Sequence, residues 1–360
     1  AAAWEPCPAR HVSLEGPRPP GVQAAPLRPL VLAPEALRGR AGIRYCESVS
    51  RLYELGSPVM PCASRGTQVL YGQRRADGEQ VVIKVRRKPE AEEGAWRANT
   101  ERLLGLRPHD GVAQLLEVLE DSQAYYVVME RAGGRDLFET MSREGLLPLE
   151  EVVAILRQLL RAVAHLHSHG LIHRDLKLDN VMLARRSGRL EVKLVDFDTV
   201  TSLPSEPDGR PARDVLGTDQ YIAPEAYGGR YSCASDVFAV GAMAYWLTAG
   251  RPPFDPELFD DAAGENRVGS PKMEAARDRV LGASPAWREG RLVRQAAARR
   301  LLRSMLAPDP DRRPSAREAL ADPWLTSAVP RPEFAGVAEL WPAAVAAAAA
   351  LAAAVAGVLA

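Results

Sequence analysis

A change of hydrophobic period a little over a third of the way along is what most limits the folds open to this chain. From Tyr53 to about Met129 the apolar residues come in short runs: TQVLYGQ, a turn at ADGE, EQVVIKV, a helical stretch, then VAQLLEVLED and AYYVVME. That pattern describes a small sheet with one helix. After Gly133 and Gly134 the period lengthens, and LEEVVAILRQLLRAVAHLHSHG places apolar residues three and four apart over about five turns. Two β-like segments, NVML and EVKLVDFD, precede further helices at SDVFAVGAMAYWLTAG and GRLVRQAAARRLLRSML. A mainly β unit followed by a mainly α unit is an α+β architecture.

The ends differ from this body. Residues 1 to 44 mix Pro, Ala, Gly and Arg in a composition that breaks helices and strands, and read as a disordered arm. Residues 326–360 form a linker and an alanine-rich tail. Its last part, from Trp341 to Ala360, is uncharged and as a helix would be about 30 Å long, which matches a bilayer core. Alanine is barely hydrophobic, so low-complexity helix or disorder is favoured over membrane contact. The chain begins with Ala rather than Met, which leaves an upstream targeting segment open.

With 360 residues, 46 Lys plus Arg against 46 Asp plus Glu, and zero formal charge, there is no average basic field for nucleic acid. The four cysteines, Cys7, Cys46, Cys62 and Cys233, lie far apart without a CxxC, so neither a zinc site nor a disulfide framework is indicated. A reducing, cytoplasmic setting is the expectation.

The chemistry is concentrated in HRDLKLDN (His173 to Asn180), VDFD with Asp196, and GTDQYIAPE (Gly217 to Glu225). Alone, an HRD string is a loop with an ion pair, and VVIK is an edge strand with a solvated lysine. Their ordered combination resembles the eukaryotic protein kinases of serine/threonine type. The later SDVFAVG, with Asp236 and Gly241, RPPF, and LAPDPDRRPSAREALADPW, with Arg313 and Trp324, extend the resemblance over residues 53–325. It is most similar to the calmodulin-dependent kinase group, although no EF-hand loop follows in this chain.

The resemblance implies a two-lobed fold: a small β-rich lobe with one main helix over about 53–129, and a larger mainly helical lobe over about 133–325. It also implies ATP and Mg2+ as cofactors and a protein Ser/Thr hydroxyl as acceptor. Asp175 would take the acceptor proton and Lys177 would meet the transferring phosphate. Asn180 and Asp196 offer hard oxygen donors suited to magnesium, and Lys84 would hold the α- and β-phosphates. Met129 falls at the gatekeeper position, with Glu130 and Ala132 offering hinge backbone groups to adenine. Glu225 is expected to clamp Arg313. Asp136 would meet the ribose or a substrate arginine, Asp179 the latter, with a solvated surface charge the alternative for either. RLVRQAAARRLLRSML is basic and amphipathic like a calmodulin target, but a core helix is the simpler reading.

Four departures bear on activity. With Val69 as the valine of the glycine-rich loop, Cys62, Ser64 and Thr67 fall at the glycine positions and only Gly66 lies nearby, so a Cβ stands against close backbone approach to phosphate while the hydroxyls can still donate. Val82 replaces the small residue expected above adenine. Asp198 replaces the glycine of DFG, adding a carboxylate that either binds magnesium or repels nucleotide. The helix glutamate expected opposite Lys84 is assigned to Glu101, though ungapped counting lands on Thr100, and one residue turns a helix by about 100°. Arg174 resembles the arginine that pairs with an activation-loop phosphate, with Thr199, Thr201, Ser202 and Ser205 as candidate acceptors. The retained Lys84, Asp175, Lys177, Asn180 and Asp196 favour an active kinase; the altered loop and DFD favour a pseudokinase or scaffold. GTDQYIAPE argues against a small-molecule kinase.

Overall fold

The structure, a computed structural model, describes residues 42–59, 67–88, 94–203, 212–259 and 266–327. Both tails, from 328 onward and up to 41, lie outside it, as do Cys62, Ser64, Gly66 and Ser205. No helix among the described residues is long and apolar enough to cross a membrane.

The small lobe is a six-stranded sheet. Its strands are β1 (Arg44–Tyr45), β2 (Tyr53–Pro58), β3 (Thr67–Arg74), β4 (Gln80–Arg87), β5 (Leu115–Glu120) and β6 (Ala124–Glu130), in the order β1-β5-β6-β4-β3-β2. Helix α1 spans Gly94–Leu104. The sheet reaches back beyond Tyr53, because Arg44 and Tyr45 run parallel to Leu119 and Glu120, and the Arg44 guanidinium pairs with Glu117. Alternation along β4 separates two faces. Val81 and Ile83 are fully buried with Val49, Tyr53, Leu119 and Val128 in a small apolar cluster. Val82 and Lys84 therefore project from the opposite face, where register sets Val69 and Val127 beside Lys84, and Tyr71 and Met129 beside Val82.

The large lobe holds β7 (Arg135–Asp136), α2 (Leu137–Glu144), α3 (Leu149–Ser168), β8 (Leu171–Ile172), β9 (Val181–Arg186), β10 (Arg189–Leu194), β11 (Thr201–Ser202), α4 (Cys233–Ala249), α5 (Pro271–Gly282), α6 (Ala296–Met305), α7 (Ala316–Leu320) and α8 (Pro323–Thr326). Helix α4 is apolar all round and almost wholly buried, the mark of a central helix. It starts at a capping box of Ser232 and Ser235 and stops at Gly250, whose φ of 81° is left-handed. Helix α3 packs one apolar stripe inward, including Ile155, Leu159, Val163 and Leu166. Gln158 ties it to β10 by donating to Leu190 O at 3.1 Å and accepting from Val192 N at 3.1 Å. The RLVRQAAARRLLRSML segment is two elements: a 3-10 turn at Gly290–Arg294 and then α6, which buries Ala298, Leu301, Leu302 and Met305. Its apolar face belongs to the core, as the simpler reading holds.

Two connections position the cleft between the lobes. Leu194 N donates to Gly111 O at 2.8 Å and Ala113 N donates to Leu194 O at 2.9 Å, so the loop before β5 is tied to β10. Where the hydrophobic period changes, Gly134 adopts φ 84°, and a Cβ there would stand 1.9 Å from Leu183 O. Only glycine lets β7 come this close to β9.

Glu225 and Arg313, far apart in sequence, form a buried two-pronged pair at 2.6 and 2.8 Å, and Ser235 donates to the same carboxylate at 2.8 Å. Replacing Arg313 by Ala leaves that carboxylate buried and unpaired, which lowers stability by about 3–5 kcal/mol. Denaturant unfolding of Arg313→Ala reads this as a lower midpoint, and an unchanged midpoint would contradict it.

Candidate active site

The site begins with a carboxylate that touches no substrate position. Asp236, in the first turn of α4, is 2% exposed and accepts from His173 N at 2.8 Å and Arg174 N at 3.0 Å. It also pairs with His167 Nε2 at 2.9 Å, from the last turn of α3. Burial pushes the Asp236 carboxyl up, but the His167 hydrogen bond and charge outweigh this and hold it below the ordinary value. Burial likewise pushes His167 down, yet its bond to Asp236, with a smaller contribution from Cys233, raises it to about 9. At neutral pH the pair is ionic.

This anchor fixes a strained turn. Arg174 sits at φ 69°, a left-handed conformation that costs a non-glycine residue on the order of 1–3 kcal/mol. Its guanidinium donates to Thr199 O at 2.6 Å and lies 5.5 Å from the Tyr231 ring centre. The Thr199 hydroxyl donates to His173 O at 2.7 Å, and Thr201 is buried in β11, so two of the four candidate phosphate acceptors have internal roles here.

Beyond the turn, Asp175, Lys177 and Thr218 form a closed triangle. The Thr218 hydroxyl donates to Asp175 Oδ1 at 3.1 Å and accepts from Lys177 Nζ at 3.2 Å, while Lys177 stands 3.3 Å from Asp175 Oδ2. Asn180 donates to Asp175 O at 2.8 Å, which directs its side-chain amide nitrogen toward the loop and leaves the amide oxygen as the acceptor available to a ligand. Val195 N donates to Asn180 O at 2.9 Å, setting Asp196 next to this cluster. Asp196 is itself left-handed at φ 61°, and Phe197 lies 5.5 Å from the ring of buried His173.

Lys84 reaches down from β4 to the same place. Its ammonium donates to Asp196 Oδ1 at 2.9 Å and pairs with Asp198 as well. Enclosure in the cleft works against the ammonium, but Asp198 and Asp196 outweigh it and raise the Lys84 pKa. Enclosure also pushes both carboxyls up; the charge of Lys84 overcomes this at Asp196, which is lowered, whereas Asp198 beside it remains raised.

Glu101 requires a correction. It is exposed on α1, whereas Thr100, one residue earlier, is 5% exposed and faces inward. The carboxylate partners of Lys84 come from the VDFD segment instead, because the helix turns Glu101 away by one residue's rotation. Asp136 also serves the fold, since it caps α2 by accepting from Glu139 N at 2.6 Å. Asp179 is exposed. Thr67 opens β3, and Val69 and Met129 lie on the Lys84 face of the sheet. Glu130 N donates to Gln114 O at 2.8 Å and its side chain pairs with Lys193 at 2.8 Å; Ala132 follows, half-buried.

The donor set fits magnesium in kind: one carboxylate and one amide oxygen from separate segments suit an ion that keeps most of its waters. No group of three or more His, Cys, Asp or Glu side chains that could hold a metal occurs among the described residues, so nothing here resembles a closed protein cage.

Residues 65–325 match the family model described as protein kinase domain. Curated relatives include the hormonally up-regulated neu tumor-associated kinase homolog B of Xenopus laevis, 31% identical over 263 residues, covering 72% of this chain and 39% of that protein. The CaM kinase-like vesicle-associated protein of Danio rerio is 30% identical over 225 residues, covering 62% and 49%. Calcium-dependent protein kinase 9 of Oryza sativa subsp. japonica is 31% identical over 230 residues, covering 64% and 37%. The chain thus aligns with less than half the length of each of these relatives.

The His167–Asp236 pair has a pH signature. A histidine raised from 6.5 to about 9 contributes stability that is complete below about pH 6.5 and lost as pH rises through 9. Relative to His167→Gln, the unmodified protein is expected to lose on the order of 2–3 kcal/mol of unfolding free energy between pH 7 and pH 10. Parallel pH profiles for the two proteins would refute the ionic pair.

Proposed function

The chain belongs to the protein kinase domain family, and on that premise we propose that it is an ATP- and magnesium-dependent protein serine/threonine kinase. The observation that carries this reading is the convergence of Asp175, Lys177 and Thr218 in one hydrogen-bonded triangle beside Asn180 and Asp196.

In this reading an acceptor hydroxyl enters where Asp175 can take its proton. Thr218 steers the carboxylate through Oδ1, and Lys177 lies close enough to offset charge that develops on the transferring phosphate. Lys84 releases Asp196 to hold the α- and β-phosphates. Asn180 and Asp196 would hold magnesium, which when bound neutralises phosphate charge. Met129 limits the depth of the adenine pocket, with backbone groups of Glu130 and Ala132 as its hinge partners. Thr67 and Val69, with Ser64 and Gly66, would cover the phosphates. Because catalysis of phosphoryl transfer is mainly positioning and charge neutralisation, the altered loop weakens nucleotide affinity more than chemistry. Asp136 and Asp179 supply negative charge that suits basic substrate segments.

A second reading, a pseudokinase or scaffold, is favoured by one observation: Lys84 is engaged by both Asp196 and Asp198, while Glu101 faces solvent.

Nucleotide binding separates the two. ATP with magnesium at about 100 times its dissociation constant should stabilise the folded protein by about 2.7 kcal/mol. Lys84→Met and Asp196→Asn should each remove that gain, and absence of any shift in the unmodified protein would favour the scaffold. Phosphoamino-acid analysis of a basic peptide mixture should find label on Ser and Thr; label on Tyr alone would refute the acceptor assignment.

A further inference from the structure

We infer that Asp198 is the positioning residue for Lys84, replacing a carboxylate that helix α1 does not deliver. This rests on the kinase reading and specifies how its phosphate-binding lysine is held.

Three observations lead there. Lys84 leaves the sheet on the face opposite Val81 and Ile83, and only 12% of its side chain is exposed, so a charged partner has to be close. Asp196 is one partner, through Oδ1, but Asp196 is also the carboxylate that would hold magnesium, so its single charge would be shared between two cations. A second carboxylate is needed to keep Lys84 oriented at that stage. Helix α1 does not supply one: Thr100 occupies its inward position and Glu101 its outward one.

Asp198 fills this role from the other side of the cleft. Its Oδ2 pairs with Lys84 while Oδ1 of Asp196 pairs with the same ammonium. Unlike Asp196, Asp198 does not need a left-handed backbone, so its side chain is carried without strain where a glycine would offer none. The two departures, a helix glutamate that the fold turns outward and a glycine replaced by aspartate, are then one exchange. The carboxylate is supplied not by helix α1 but by the segment that carries the candidate metal ligand itself. Lys84 is consequently held by the VDFD segment and not by α1.

The test reads Lys84 directly, in nucleotide-free full-length protein. Acetylation by the N-hydroxysuccinimide ester of acetic acid, followed at Lys84 by peptide mass spectrometry, reads how far its two ion pairs withhold the side chain from the reagent. Asp198→Asn should acetylate faster at Lys84 than the unmodified protein, because one of its two ion pairs is gone. Glu101→Gln should leave that rate where it is, and Asp198→Asn combined with Thr100→Glu should slow it again. An unchanged rate in Asp198→Asn, or a faster one in Glu101→Gln, overturns the inference. In phosphate transfer, Asp198→Asn should raise the KM for ATP about tenfold with a smaller change in kcat, and Asp198→Glu should recover part of it. Faster labelling with an unaltered KM would overturn the positioning role. If the unmodified protein transfers no phosphate, the kinase reading fails while the labelling result still decides the pairing.

Discussion

The buried carboxylate of Asp236 is the constraint on which the candidate site depends. It takes two backbone N–H groups from consecutive residues, His173 and Arg174, and a side-chain cation from His167. Those backbone donors would otherwise be buried without acceptors, at a cost of about 1–3 kcal/mol each. Held at both N–H groups, the chain accepts the left-handed turn at Arg174, and the turn presents Asp175 to Lys177 and Thr218. The central helix α4 supplies the rigidity, because nearly every side chain along it is buried.

Charge is balanced in the cleft by exchange. Lys84 comes from the small lobe and its two carboxylates come from the large one, so the ion pairs bridge the lobes. Magnesium at Asp196 and phosphate at Lys84 would each replace a contact already made within the protein. In the proposed reading the groups would be held near their working places before any ligand arrives, which lowers the cost of organising them.

Much of this was legible in the sequence, and the limits have physical causes. The switch of hydrophobic period at Gly133 and Gly134 marks the lobe boundary because a sheet and a helix bury apolar residues at different intervals; Gly134 is glycine since β9 leaves no room for a Cβ. The ordered motifs single out Asp175, Lys177, Asn180 and Asp196 as candidates, and the fold brings the four together because they lie on short neighbouring segments. Glu101 was misplaced because helical phase is set by how α1 packs, and a single residue's rotation exchanges it with Thr100. The His167–Asp236 bond joins residues 69 apart with no local pattern to announce it. Asp136 reads as a ligand or as a solvated charge from the sequence, and its capping role appears only once the start of α2 is known.

The most direct test of the central claim is transfer of the γ-phosphate from labelled ATP to a basic Ser/Thr peptide mixture, with magnesium present, comparing the unmodified protein with Asp175→Asn at matched folding. The account predicts transfer by the unmodified protein and loss of at least about a hundredfold in Asp175→Asn, the scale of a positioned proton acceptor. Equal rates for the two proteins, or no transfer by either, would contradict it.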